Sequence, residues 1–589
     1  MFLKEGTAFF IPEFQSKIFL FLYMQKRWLF GELANPDLVE SLQQDLGISE
    51  NLAFLFAKKG IKDYEEAKAY FRPQMDQLHD PFLMKDMGKA VDRLARALET
   101  QENILVYGDY DVDGTTAVAT FYGFLSQRFS NLEFYIPDRY SEGYGVSKAG
   151  IQYAIDNGFS LIVTLDCGIK ACDRVKDAAA ASIDVIICDH HTPGEELPPA
   201  YAVLDPKRMD CEYPYKELSG CGVGFKLLQA FCQRSDLAQE ELFQYLDLLA
   251  VSIASDIVPI TGENRVLTYY GLKKLNQDPR PGLKALIELY KNKNDLTVTT
   301  IVFGIGPRIN AAGRMDHAGA SVNLLLAKTV EEATNMAKAI NDQNDARKDF
   351  DSSITEEALM MIESDTEMVN AKSTVLYKED WHKGVIGIVA SRCVEKYYRP
   401  TVILTESNNK ATGSARSVLG FDIYNAISEC ADLLEQYGGH MYAAGITMDL
   451  SNVEAFKIKF EEVVARQITE DQLIPAINVD TIIFLDDIDF KFFNTIKQMG
   501  PFGPQNMQPL FVSENVHAEN VKVLKGQHLK FIVKQEGTDT AFDAIGFGLG
   551  DYADLISSGM KFHMAYTIEE NDFRGHRSLQ LFIKDIKFE

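Results

Sequence analysis

Acidic and imidazole side chains gather at three points of the sequence, each directly after a short apolar run. Asp109, Asp111 and Asp113 follow Ile104 to Tyr107, Asp166 follows Leu161 to Leu165, and Asp189, His190 and His191 follow Asp184 to Cys188. Carboxylates brought together repel: two unit charges about 4 Å apart cost roughly 1 kcal/mol in water and about 4 kcal/mol at the effective dielectric of a protein surface. A divalent cation removes that cost. Carboxylate oxygens with one or two imidazoles and no thiolate pattern suit Mn²⁺ or Mg²⁺ better than structural zinc. Taken singly, Asp113-Gly114 reads as a turn and Asp166-Cys167-Gly168 as the start of a loop. Three such segments in succession read as one constellation.

The elements that must position them are legible too. The three apolar runs have the length and composition of buried strands, and helical patterns separate them over residues 115–129, 147–157 and 170–180. This is a β-α-β-α-β unit with a parallel sheet. Ligands of open parallel sheets sit beyond the carboxyl ends of the strands, where Asp111, Asp113, Asp166 and His190 emerge.

The chain of 589 residues is 46% apolar, enough for several domains with large cores. Its eight cysteines contain no Cys-x-x-Cys pair, which points away from a zinc module and towards a reducing compartment. No apolar run approaches the roughly 20 residues needed to cross a bilayer. The nearest, Ile18 to Tyr23, is too short for a signal-peptide core and has no small-residue cleavage site after it. A cytoplasmic protein is the expectation. The net charge of −26 sits awkwardly with phosphate binding, but a few arginines in a groove override a distant acidic surface screened over about 8 Å of physiological salt. A narrow basic channel on an acidic body is therefore expected.

The motifs at 109–114, 166–168 and 189–191 resemble those of the DHH phosphoesterase superfamily, and their context resembles its RecJ branch of single-strand-specific 5′ exonucleases. The resemblance runs from about Trp28 to the C-terminus, which makes Met24 the expected natural start and residues 1–27 an extension. It implies that Asp111, Asp113, Asp166, His190 and Asp256 hold one or two Mn²⁺ or Mg²⁺ ions. Asp109 and Asp189 are then either direct ligands or partners of ligands, and His191 either positions the phosphate or shares a proton.

Later stretches extend the resemblance. Residues 28–80 read as a helical segment before a catalytic DHH domain over 81–328. Arg139, ahead of Glu142-Gly143-Tyr144-Gly145, matches a DNA contact. In Gly304 to Arg314 two arginines stand six apart among glycines that let backbone amides approach an anion, and Arg308, Asn310 and Arg314 become phosphate-binding candidates. Ala320 to Ser364 lacks Gly and Pro, and Thr329 to Glu332 has the form of a capping box, so a connecting helix of about 50 Å is expected over 329–365. A smaller α/β domain of DHHA1 type follows over 366–468, with Arg392, Ser414, Arg416 and His440 suited to cradling a phosphate. Met499 to Phe511 resembles the hinge into a third domain. Alternating strands then give a β-barrel over 469–589, where the resemblance implies an OB-like fold that binds single strands.

The fold class implied is thus α/β: a parallel-sheet DHH domain, a long helix, a DHHA1 domain and an OB-like barrel. The function implied is metal-dependent degradation of single-stranded DNA from the 5′ end to mononucleotides, in repair and recombination. The implied partners are single-stranded DNA, a single-strand-binding protein and a helicase, the enzyme itself being a monomer away from membranes. Two rival readings share the motifs. A small-substrate phosphodiesterase would not need the terminal barrel or so many separated arginines, and a non-catalytic scaffold would lack some of the metal carboxylates, none of which is missing.

Overall fold

A computed structural model describes residues 26–290 and 295–588. The chain divides into two compact units: one of residues 68–352 with 498–507, the other of 1–67, 353–497 and 508–589. Met24 and nearly all of the expected extension over 1–27 lie outside the described residues.

In the first unit, strands β1 (Ile104–Gly108), β2 (Leu132–Tyr135), β3 (Leu161–Leu165), β4 (Asp184–Cys188) and β5 (Ala202–Leu204) form a parallel sheet in the order β2-β1-β3-β4-β5. Alternate residues sort to opposite faces, as the two-residue period of a strand requires. Val106, Val163 and Ile186 enter one apolar core, while Leu105, Ile162 and Ile187 enter another. The near-continuous apolar strands are what helices on both faces demand. Those that position the site are α1 (Val112–Leu125), α2 (Lys148–Asp156), α3 (Cys172–Ala180), α4 (Gly220–Arg234), α5 (Leu246–Ser255) and α6 (Gly306–Met315).

Of the stretch expected as a hinge, Met499 to Phe511, the part up to Met507 belongs to this unit. Ile260 N–H donates to the Pro504 carbonyl at 2.8 Å, and Arg265 donates to the carbonyl of Gly500 at 2.8 Å while lying 3.9 Å from the Tyr70 ring. A helix over Gly319–Leu326 ends in a break, and the connecting helix expected over 329–365 follows as Val330–Ser364. The 35 residues of the latter span about 50 Å at 1.5 Å per residue. Thr329 starts it, accepting from the Glu332 N–H at 3.2 Å, while the Glu332 carboxylate reaches back to the Lys328 N–H rather than to that of Thr329.

In the second unit, β6 (Thr374–Tyr377), β7 (Thr401–Ser407), β8 (Lys410–Arg416), β9 (Gln436–His440) and β10 (Ala443–Met448) form a mixed sheet ordered β9-β10-β8-β7-β6, with α7 (Ile386–Tyr397) packed against it. A closed barrel follows: β11 (Phe511–Leu524), β12 (His528–Gln535), β13 (Ala541–Gly546), β14 (Phe562–Phe573) and β15 (His576–Phe588). The order β11-β12-β13-β15-β14 returns to β11, so no edge is left between them.

Three helices fill Pro36–Leu46, Glu50–Lys58 and Tyr64–Phe71, as the polar rhythm predicts, but a strand precedes them. Arg27–Phe30 pairs in parallel with Ala476–Val479. The indole N–H of Trp28 donates to Asp585 at 2.6 Å, and Lys587 sits 4.7 Å from the Trp28 ring. The start of the described chain is thereby part of the C-terminal module, a pairing that local periodicity does not carry.

Candidate metal centre

Each acidic motif begins where a buried strand ends. Gly108 closes β1 because any side chain there would run into Val118. Asp109 follows, fully buried, and neither of its carboxylate oxygens has a hydrogen-bond partner. Asp111 caps α1, accepting from the Gly114 N–H at 2.9 Å. Asp113, in the first turn of α1, accepts from Gly220 N–H at 2.6 Å, Cys221 N–H at 2.9 Å and the Ser252 hydroxyl at 2.6 Å.

After β3, Asp166 takes a left-handed conformation with φ of 61° and is 2% exposed. Gly220 has to be glycine, since a Cβ there would lie 2.5 Å from the Asp166 side chain. After β4, Asp189 accepts from the N–H groups of Ile169 at 2.9 Å and His190 at 2.8 Å and from His191 Nδ1 at 2.7 Å. Burial opposes its ionisation, but these donors outweigh burial and hold the Asp189 carboxyl at about 2. Burial also works against a charge on His191, yet Asp189 prevails and raises the imidazole above its ordinary value. The far nitrogen of His191, Nε2, stands 2.9 Å from the Tyr144 hydroxyl.

His190 is the centre of the cluster. Its Nε2 lies 3.2 Å from Asp166, 3.5 Å from Asp256 and 3.8 Å from Asp113, and neither ring nitrogen makes a hydrogen bond. Burial keeps it neutral, lowering its pKa. Ligating atoms within 4.8 Å of one another occur in Asp166, His190 and His191, in Asp113, His190 and Asp256, and in Asp109, Asp111 and Asp166. Burial, then the neighbouring carboxylates, push Asp109, Asp111, Asp166 and Asp256 above the usual carboxylate range. Unpartnered buried oxygens and the Nε2 of His190 converging on one point are what a divalent oxygen-preferring cation requires, and the donor set fits Mn²⁺ or Mg²⁺.

Two arginines reach the same loop. Arg139 lies 4.9 Å from the Tyr110 ring, and Arg314 shares with it the field around Tyr110, whose hydroxyl burial and Asp109 push up to about 12. Asn310 stands one turn before Arg314 on α6, on the same helical face. Gly313 brings that helix close, since a Cβ would lie 2.9 Å from the Tyr110 carbonyl. Arg308 points elsewhere: it is 9% exposed, donating to the Gly304 carbonyl at 2.5 Å and to Asn341 at 3.0 Å. The glycines of this stretch do not expose amides to an anion as expected. They lie in continuous helix, and Gly304 makes room for Tyr290, which a Cβ would meet at 2.9 Å.

Of the other expected phosphate contacts, all in the second unit, Ser414, Arg416 and His440 lie on the two strands that flank β10. Arg416 donates to the Ser414 hydroxyl at 2.8 Å, and Gly387, at the start of α7, would with a Cβ come within 2.9 Å of the Arg416 guanidinium and 3.0 Å of Ser414. His440 and Arg416 flank Ala443 across β9-β10-β8. Arg392 is exposed on α7.

Sequence reasoning passed over four features. Asp205 follows Ala202–Leu204 just as the other aspartates follow their strands; it is fully buried with one oxygen unpartnered, and burial with the nearby Asp189 charge pushes it up to about 7 against the Lys207 N–H. The apolar run before it is only three residues long, shorter than those that mark the other aspartates. Tyr144 lies inside the Glu142-Gly143-Tyr144-Gly145 motif. Ser219 and Ser252 carried no sequence signal. Finally, a cavity of about 430 Å³ opens beside the cluster, lined by Tyr144, Gly168, Lys170, Arg174, Asp189 and His191.

A parallel sheet with this cluster at its strand ends defines a phosphoesterase of the DHH class, and the DHH family N-terminal domain matches residues 103–253. The DHHA1 domain matches 370–466 and the RecJ OB domain 479–585. The single-stranded-DNA-specific exonuclease RecJ of Bacillus subtilis is 36% identical over 571 residues, covering 96% of this chain and 71% of the relative. The chain belongs to the RecJ family. Crystal structures of RecJ from Thermus thermophilus superpose with TM-scores of 0.82 for the Mn²⁺ complex and 0.76 for the Mg²⁺ complex, at 27% and 26% identity. Each covers 96% of this chain, which in turn covers 80% and 78% of theirs.

Proposed function

We propose that this chain is a Mn²⁺- or Mg²⁺-dependent exonuclease of single-stranded DNA that works from the 5′ end and releases mononucleotides in DNA repair and recombination. The observation that carries the reading is the set of buried, unpartnered ligand atoms on Asp109, Asp166 and His190 at the carboxyl ends of one sheet. Asp111, Asp113, Asp166, His190 and Asp256 hold the metal, with Asp109 beside them. A divalent cation bound there supplies charge neutralisation for a phosphodiester oxygen and the activation of water.

The chain's own groups do the rest. Asp189 accepts the Nδ1 proton of His191, which fixes the tautomer and aims Nε2 outward, where it meets a phosphate oxygen or exchanges a proton. Arg139, Asn310 and Arg314 line the approach to the cluster. Ser414 and Arg416, beside Gly387 at the start of α7, take the 5′-terminal phosphate together with His440. On the barrel, His528, Phe547 and Phe582 form an outward row with centroids 5.1 and 5.5 Å apart, Lys584 lies 5.8 Å from the Phe582 ring, and Phe547 is 56% exposed. That is a stacking platform for unpaired bases with a cation beside it.

The test is purified protein with Mn²⁺ and a labelled single-stranded oligonucleotide, against a duplex and a cyclic dinucleotide. Loss of single-strand label as mononucleotides, with the duplex and cyclic substrates spared, is the expected result. Preference for the cyclic dinucleotide would make it a small-substrate phosphodiesterase, and no cleavage at all would make it a scaffold.

A further inference from the structure

The cluster carboxylates are not treated alike by the fold. Asp109 and Asp166 present oxygens with no partner, whereas Asp113 takes three donors from two other helices. Two are the N–H groups of Gly220 and Cys221 in the first turn of α4. The third is the hydroxyl of Ser252, fully buried on α5. Behind it, Ser252 Oγ lies 2.7 Å from Ser219 Oγ, and Ser219 accepts from the Gly222 N–H at 3.1 Å.

The direction of this relay follows from which groups can donate. Asp113 already receives two backbone N–H groups and acts as acceptor, so the Ser252 proton points at it. Ser252 can then only accept from Ser219. Hydrogen bonds therefore run one way, from Gly222 N–H through Ser219 and Ser252 to Asp113 Oδ1, each polarising the next in the buried interior. Asp113 Oδ2, the other oxygen, is the one 3.8 Å from His190.

We infer that Ser252, backed by Ser219, is a positioning residue for Asp113: it fixes the carboxylate so that Oδ2 stays within reach of His190 and Asp256, and thereby sets the affinity of the site for its divalent cation. The inference rests on the cluster being a metal centre. Groups that orient a ligand typically cost about 10–100-fold in metal affinity when removed.

The experiment measures Mn²⁺ binding to the full-length protein without DNA, from the electron paramagnetic resonance signal of free Mn²⁺. Ser252→Ala is expected to weaken binding roughly 10–100-fold, and Ser252→Thr, which keeps the hydroxyl, to bind close to wild type. Saturating Mn²⁺ should return most of the Ser252→Ala kcat, a recovery that a packing defect would not give. Ser219→Ala leaves Ser252 in place but removes its donor, and should show a smaller loss; it carries the test if Ser252→Ala fails to fold. Mn²⁺ affinity within about twofold of wild type in the folded Ser252→Ala protein, or in Ser219→Ala where that one does not fold, overturns the inference. Wild-type protein that binds no Mn²⁺ would instead overturn the reading of the cluster as a metal centre.

Discussion

Two replacements of Asp166 separate its charge from its backbone. The residue sits at φ 61°, a left-handed conformation that Asn tolerates and Ala does not. Forcing Ala into it costs about 1–2 kcal/mol, which at about 2–4 °C per kcal/mol lowers the melting temperature of a unit of this size by roughly 2–8 °C. Asn keeps the shape and removes a charge that faces Asp109 and Asp111 at close range, a repulsion of up to about 4 kcal/mol per charged neighbour at about 4 Å. Metal-free Asp166→Asn should therefore melt no lower than wild type, and Asp166→Ala several degrees lower. Mn²⁺ reverses the ranking. A ligand at about 100 times its Kd stabilises the native state by about 2.7 kcal/mol, a gain that wild type shows and both variants largely lose, along with cleavage. The assay is thermal melting in EDTA and in Mn²⁺. An Asp166→Asn protein with the full wild-type Mn²⁺ shift would remove Asp166 from the metal site, and equal melting of the two variants in EDTA would refute the backbone argument.

Losing a charge-assisted hydrogen bond to phosphate costs about 1.5–3 kcal/mol, so Arg416→Ala should lower kcat/KM on 5′-phosphorylated strands roughly 10–150-fold and much less on 5′-hydroxyl strands; equal losses would end this account of polarity. Phe547→Ala should weaken single-strand binding by about 1–3 kcal/mol, the worth of one base stacked on an aromatic ring, with cleavage of a dinucleotide unchanged; fluorescence anisotropy and product release check the two halves. Burial works against the Glu102 carboxylate, but Ser160 and Arg93 outweigh it and hold its pKa below the ordinary value of 4.5. A depressed folded pKa gives stability that is present above 4.5 and is lost as pH falls through the folded value, so Glu102→Gln should flatten acid unfolding below that pH and leave neutral stability lower. Melting curves from about pH 3 to 7 would show no change in slope if the carboxylate is not what the acid limb titrates.

What could be read from sequence was whatever local pattern controls. The strands ending at Leu165 and Cys188 were bounded to the residue because buried parallel strands are short apolar runs with an abrupt polar end. The three-residue strand before Asp205 was too short to raise the same signal. Ser219 and Ser252 stand 33 residues apart and meet only because α4 and α5 both pack beside Asp113, which no spacing encodes. Arg308 shows the opposite failure: glycine beside arginine suggests an anion loop, yet the stretch is helical and its glycines serve packing against Tyr290 and Tyr110. On the barrel, alternation located the strands but could not say that Phe582 faces out while Phe531 is buried, since aromatic residues occupy both faces.

The pairing of Arg27–Phe30 with Ala476–Val479 has a consequence for synthesis. Trp28 leaves the ribosome long before Ile477, its partner in the ladder, exists; at about 5–20 residues per second the intervening stretch takes roughly 20–90 s to make. For that interval the strand has no partner in its own chain and presents a bare edge, and Trp28 waits still longer for Asp585. The barrel module therefore closes only after its last strand, His576–Phe588, has been made, whereas the sheet of β1 to β5, contiguous in sequence, has all its strands available far earlier.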